Sequence, residues 1–110
     1  METWSTETHM NHVAEIVTFT LADGTTPEDF VRLSQTTEAF VRAAPGFAHR
    51  QLSQGEDGSW TDYVIWTDMK AAQDAAAQFP QQDFAAGLMA AIDPASIQMR
   101  HEKVLWNMTA

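Results

Sequence analysis

Four runs of strand-forming residues and two stretches of helical periodicity follow one another in the order β, α, β, β, α, β. That order restricts what the chain can fold into more than any single motif does. Val13 to Leu21 (VAEIVTFTL) is rich in β-branched residues and ends at Ala22-Asp23-Gly24, so it reads as a first strand. Thr26-Pro27-Glu28-Asp29 is a helix start: a hydroxyl for the orphan amides, a proline at the first helical position and two carboxylates in the first turn. Phe30, Leu33, Thr37, Phe40, Val41 and Ala44 then recur at helical spacing until Pro45-Gly46 stops the helix. Phe47 to Gln54 and Trp60 to Trp66 read as strands joined by a hairpin turn at Gly55-Glu56-Asp57-Gly58. Thr67-Asp68 caps an alanine-rich helix whose stripe is Met69, Ala72, Ala76 and Phe79. Pro80 interrupts it, and a short helix or turn follows over Gln82 to Ile92. Ser96 to Trp106 reads as the last strand.

The element order matches the split βαβ arrangement. Right-handed crossovers then predict an α+β fold: a four-stranded antiparallel sheet with the helices on one face. The strands carry apolar groups on both faces, with Val17 and Phe19 against Ile16, Val64 and Trp66 against Tyr63 and Ile65, and Met99 and Leu105 against Val104 and Trp106. Two helices cannot cover both faces. A second copy of the chain is the simplest cover for the other, which predicts a homodimer joined through its sheet faces.

At 110 residues there is room for one domain. Its expected extent is residues 12–106, between a flexible N-terminal arm over 1–11 and a C-terminal tail over 107–110. The arm's large apolar groups, Trp4 and Met10, either dock on a partner subunit or stay loose. Six Lys and Arg against 15 Asp and Glu give a formal charge of -9, which argues against nucleic acid and against anionic membrane surfaces as partners. Cys is absent, which excludes disulfides, thiolate catalysis and Cys-based metal sites. The first residues lack the basic start and apolar stretch of a secretory signal, and no run approaches the ~20 apolar residues of a membrane span, so a cytoplasmic protein is expected.

Ala44-Pro45-Gly46-Phe47, the Gly55–Gly58 hairpin and Tyr63-Val64-Ile65-Trp66-Thr67-Asp68 together resemble the dimeric α/β-barrel superfamily, and within it proteins of the antibiotic-biosynthesis-monooxygenase type. In those a "PGF" segment follows the first helix, and a strand-ending Trp precedes a capped second helix. The resemblance spans residues 12–106 and implies a ferredoxin-like dimeric barrel. The superfamily's activities range from cofactor-independent oxygenation through isomerisation and haem degradation to stress-responsive barrels with no known reaction. The haem-degrading pattern needs an Asn in the first strand and a Trp and a His in the second helical region. Here those strand and helix positions fall at Glu15 and near Ala75, and no His lies between His49 and His101, so that activity is not expected.

Glu15 is a carboxylate inside an otherwise apolar strand. Buried, it is a candidate general base; exposed, or paired with Arg100 or Lys103, it is an ordinary strand residue. His49 and His101 fall on the outer strands as two further candidate bases, each with a plain alternative as a partly exposed edge residue. His9 and His12 lack a helix to make their spacing a metal pair, and no metal or other cofactor is expected. Val17, Tyr63, Trp66, Phe84, Leu88 and Met89 are candidates for the lining of a pocket for a flat apolar or aromatic ligand. The same residue types also fill ordinary cores. The small side chains of Ala75-Ala76-Ala77 favour open space opposite the sheet. No serine has a His and carboxylate at a nucleophile spacing, and the acidic Gly55–Gly58 turn would repel phosphate.

Two functions follow from this reading. One is a cofactor-independent monooxygenase acting on an aromatic or polyketide-like compound, with Glu15, His49 or His101 as base. The other is a non-catalytic dimeric binding or stress-responsive barrel. A cavity above ~300 Å³ favours the first, and close packing favours the second.

Overall fold

A computed structural model of the chain describes residues 11–110. The expected arm therefore lies outside the described residues except for Asn11. Strands β1 (Val13–Phe19), β2 (Phe47–Gln54), β3 (Trp60–Trp66) and β4 (Gln98–Lys103) form one antiparallel sheet in the order β2-β3-β1-β4. Helices α1 (Pro27–Gln35), α2 (Glu38–Ala43), α3 (Met69–Gln78) and α4 (Ala85–Ala90) occupy the two crossovers. This is the predicted α+β, ferredoxin-like arrangement.

The caps act as their sequence predicts. Thr26 Oγ1 accepts from the Asp29 amide at 3.1 Å, and Asp68 Oδ1 accepts from the Ala71 amide at 2.8 Å. Pro80 sits in a 3-10 turn, Phe79–Gln81, that separates α3 from α4. Gly46 has φ +87°, and a Cβ there would meet Ala71 Cβ at 2.5 Å and Thr67 Oγ1 at 2.7 Å. Only glycine fits this turn, which its carbonyl ties to the Thr67 amide at the end of β3 (2.8 Å).

Three boundaries differ from expectation. The first helix is broken in two at Thr36-Thr37. Both amides make i→i−3 bonds, to Leu33 and Ser34, and Thr37 Oγ1 donates back to the Ser34 carbonyl (2.7 Å), which tightens the turn and ends α1. β1 ends at Phe19, and Leu21 makes only an isolated bridge to Ile92. β4 ends at Lys103, which pairs with Val13, the first residue of β1; one more bond, from the Val104 amide to the His12 carbonyl (3.0 Å), follows it. Leu105 and Trp106 thus lie beyond the sheet, 74% and 76% exposed.

The core fills the space between the sheet and the helices. Phe30 packs its ring against Phe19 (5.3 Å) and Trp60 (5.2 Å), with Leu88 and Ile92 in the same cluster. Val41, Val64, Trp66, Ala72 and Ala75 form a second cluster. The stripe of α3 therefore runs through Ala72 and Ala75, and Ala76 and Met69 stay exposed. The far face of the sheet is less apolar than expected. Its middle holds Ala14 and Ile16, buried in the single chain, beside half-buried Tyr63 and Ile65. The outer strands show exposed His49, Gln51 and Ser53 on one side and Gln98, Arg100 and Glu102 on the other. Among the described residues no helix is long and apolar enough to cross a membrane.

Candidate functional site

Strand alternation sends Glu15, Val17 and Phe19 toward the helices, and register places Val64, Asp62 and Trp60 opposite them on β3. Between this face and the helices lies a cavity of about 260 Å³. Its apolar lining comes from both layers: Val17, Val64 and Trp66 from the sheet, Phe40, Phe79 and Leu88 from the helical side. Ala75 and Ala76 also line it, and their short side chains leave the space that bulkier residues would fill. Met89 and Met99, 47% and 56% exposed, border it toward solvent.

Polar groups meet this apolar space in two places. The first is Glu15. Its Oε1 accepts from the Trp66 indole Nε1 at 3.2 Å, and its Oε2 lies 3.3 Å from His101 Nε2. His101 is the direct cross-strand partner of Glu15 on β4. The Glu15 side chain is 13% exposed and that of His101 28%. A carboxylate largely shielded from water, with a neutral donor on one oxygen and an imidazole on the other, can take a proton from a carbon acid in the cavity and pass it to His101 at the solvent side.

The second is an ion pair. Arg50 Nε and Nη2 donate to Asp62 Oδ1 and Oδ2 at 3.0 and 2.8 Å, and Arg50 Nη1 donates to Thr37 Oγ1 at 2.6 Å. The two charged side chains are 18% and 21% exposed, and Thr37 is fully buried. The helix break is thus tied to the sheet: Thr37 leaves the helical path at the point where its hydroxyl can receive the guanidinium. Arg50 also borders an open surface groove of about 510 Å³ between β2 and the α1–α2 segment, where Val31, Phe47 and Leu52 are its apolar walls.

No family model and no curated protein matches the chain. Solved structures do. A variant of SnoaB, a cofactor-independent oxygenase from Streptomyces nogalater, superposes with a TM-score of 0.74 at 24% identity over 91% of this chain and 99% of that one. A second SnoaB structure gives 0.64 at 26% identity over 90% and 96%. A candidate antibiotic biosynthesis monooxygenase from Bordetella bronchiseptica gives 0.72 at 17% identity over 84% and 95%. The chain shares the fold of these proteins.

Within this fold, the residues singled out from the sequence are distributed unevenly. Glu15, Val17, Trp66, Leu88 and Met89 line the cavity, and His101 reaches it through Glu15. His49 does not. The register shift between Phe47 and His49 turns it onto the far face, where it is exposed and bonds Gln51 at 3.0 Å. Tyr63 is also on the far face, opposite Ile16 and Gln51, so the lining it was expected to share with Trp66 falls to Asp62 and Val64 instead. Phe84 stands outside the lining, with its ring against Phe79 (5.2 Å) and Phe40 (5.7 Å), which do line it. Glu15 is paired, but with His101 in place of Arg100 or Lys103, because His101 is the β4 residue directly opposite it: Arg100 is on the other face and Lys103 is opposite Val13. Sequence reasoning overlooked Arg50 and Asp62. The hairpin turn carried the signal: pairing Gln54 with Trp60 places Leu52 opposite Asp62 and Arg50 opposite Val64, so opposite charges become inward diagonal neighbours. Among the described residues no group of three His, Asp or Glu is placed to hold a metal ion.

Proposed function

We propose that the chain binds a small, flat, largely apolar molecule in the cavity under its sheet and oxygenates it as a cofactor-independent monooxygenase, working as a homodimer joined through its sheet faces. The observation that carries this is the Glu15–His101 pair at an apolar cavity, with Trp66 holding the second carboxylate oxygen. Glu15 removes a proton from an activated methylene, Trp66 and His101 orient the carboxylate, and the apolar walls keep water from the resulting carbanion. The carbanion then reacts with dioxygen. The methylene becomes a carbonyl, one oxygen atom stays in the product and the other leaves as water. The likeness to SnoaB supports this reaction class. The half-buried Tyr63 and Ile65 on the far face support the pairing of two sheets.

A second reading, a non-catalytic dimeric binding or stress-responsive-type barrel, is favoured by one observation: the cavity's 260 Å³ falls just under the ~300 Å³ floor of typical ligand sites. Oxygen uptake with a hydroxylated anthrone separates the two. Uptake by the wild-type chain that drops about 10²–10⁴-fold in Glu15→Gln, with a smaller loss in His101→Asn, is the expected result. No uptake by a folded wild-type protein removes the oxygenase reading, and undiminished uptake by Glu15→Gln removes Glu15 as base. Native mass spectrometry tests the dimer, and a monodisperse monomer at micromolar concentration refutes it.

A further inference from the structure

A paired charge in an apolar cavity is more than a clamp if it keeps hydrogen-bonding capacity for something else. Arg50 has five N–H donors and uses three, one to each Asp62 oxygen and one to Thr37. Each Asp62 oxygen accepts one bond from Arg50 and can take another. Both residues line the cavity, whose other walls are apolar apart from Glu15 and Ser34, so a ligand in that space lies beside a pair with spare donors and lone pairs.

We propose that the Arg50–Asp62 pair is the specificity-determining anchor of the cavity and selects ligands that carry an aromatic hydroxyl. The hydroxyl donates its proton to an Asp62 oxygen and accepts from a free Arg50 N–H, satisfying both charged groups at once. The bidentate pairing and the Thr37 hydroxyl hold the guanidinium in place beforehand, so binding orders little. Register adds direction. Glu15 faces Val64 and Asp62 faces Val17, which makes Glu15 and Asp62 diagonal neighbours with Cα atoms ~7–8 Å apart. A flat molecule anchored at Asp62 extends past Val17 and Val64 and brings its far carbon atoms to Glu15. This inference rests on the small-molecule-binding reading, but not on the oxygenation step.

The test is binding, measured by titration calorimetry with 2-naphthol and with 2-methoxynaphthalene, which has the same ring and an acceptor oxygen but no O–H to donate. The wild-type chain is expected to prefer 2-naphthol about ten-fold or more, the worth of one hydrogen bond to a charged acceptor. The double variant Arg50→Met/Asp62→Leu replaces the pair by apolar groups of similar volume. It is expected to fold and to bind both probes equally. Asp62→Asn keeps the shape and one acceptor oxygen, so it lowers the preference without abolishing it; it carries the test if the double variant does not fold. Equal binding by the wild-type chain, absence of binding, a preference that survives in the double variant, or an unchanged ratio in Asp62→Asn overturns the proposal. A hydroxyl preference that follows these residues while oxygen uptake is absent leaves the anchor standing and removes the oxygenase reading alone.

Discussion

Gly46 offers a perturbation whose magnitude can be worked from geometry with controls inside the same chain. Replacing it by Ala forces an L-residue to φ +87°, which costs about 1–2 kcal/mol. It also drives a methyl group to 2.5 Å from Ala71 Cβ and 2.7 Å from Thr67 Oγ1, an overpacking worth about 1–3 kcal/mol. The sum is about 2–5 kcal/mol, a drop in Tm of roughly 10–25 °C for a chain of this size. Gly24 and Gly58 also have positive φ, at 88° and 86°, but nothing lies within 4 Å of their Cβ positions. Gly24→Ala and Gly58→Ala therefore carry the backbone part alone, about 1–2 kcal/mol each. Gly87 is inside α4 at ordinary φ with open space around it, so Gly87→Ala is expected to stabilise by about 0.5–1 kcal/mol. Urea unfolding followed by circular dichroism ranks the four variants, with shifts read from midpoints at constant slope. A Gly46→Ala midpoint within error of Gly24→Ala refutes the contact argument. A smaller cost of Ala71→Gly in the Gly46→Ala background than in the wild-type chain supports it, because that methyl is the closer of the two obstacles.

Two further outcomes are expected. Thr37→Val keeps the side chain's shape but takes the acceptor from Arg50 Nη1. The loss should be about 1–3 kcal/mol by urea titration and should shrink in the Arg50→Met/Asp62→Leu background, where no donor remains to be stranded. Asp57 is held below its ordinary value of 3.8 by hydrogen bonds from the Ser59 hydroxyl and amide. A depressed carboxylate stabilises the fold above its unfolded value and loses that contribution as pH falls through the folded one, so Asp57→Ala should lower stability at neutral pH and differ less from wild type at the acid end of an unfolding series.

The fold was legible in the chain because its signals are local. Thr26-Pro27, Pro45-Gly46, Gly55–Gly58 and Asp68 each mark a boundary by their own chemistry, and the element order then admits few topologies. What escaped were features set by a partner distant in sequence. The helical spacing runs unbroken across Thr36-Thr37, and only the arrival of Arg50 from β2 shows what the break positions. His49 looks like a cavity residue until the register shift after Phe47 turns it to the far face. Tyr63 was misplaced for the opposite reason: aromatic composition suggested a lining, whereas strict alternation from Trp66 already put it on the other side.

The two polar features of the cavity differ in what their retention implies. Glu15 accepts from the Trp66 indole and lies against His101, and its removal leaves the indole short of an acceptor. Arg50 and Asp62 neutralise each other, and such a pair is weak evidence for stability, since apolar replacements of similar volume are often as stable or more so. A structural explanation of the pair is therefore satisfied by two apolar side chains, while a ligand-binding explanation is not. If the double variant proves at least as stable as the wild-type chain and yet loses its discrimination for a hydroxyl, stability and recognition separate at a single pair of residues. If instead it loses several kcal/mol and discriminates as before, the pair is a clamp between the α1–α2 break and the β2–β3 hairpin, and the cavity takes its specificity from Glu15 and shape alone.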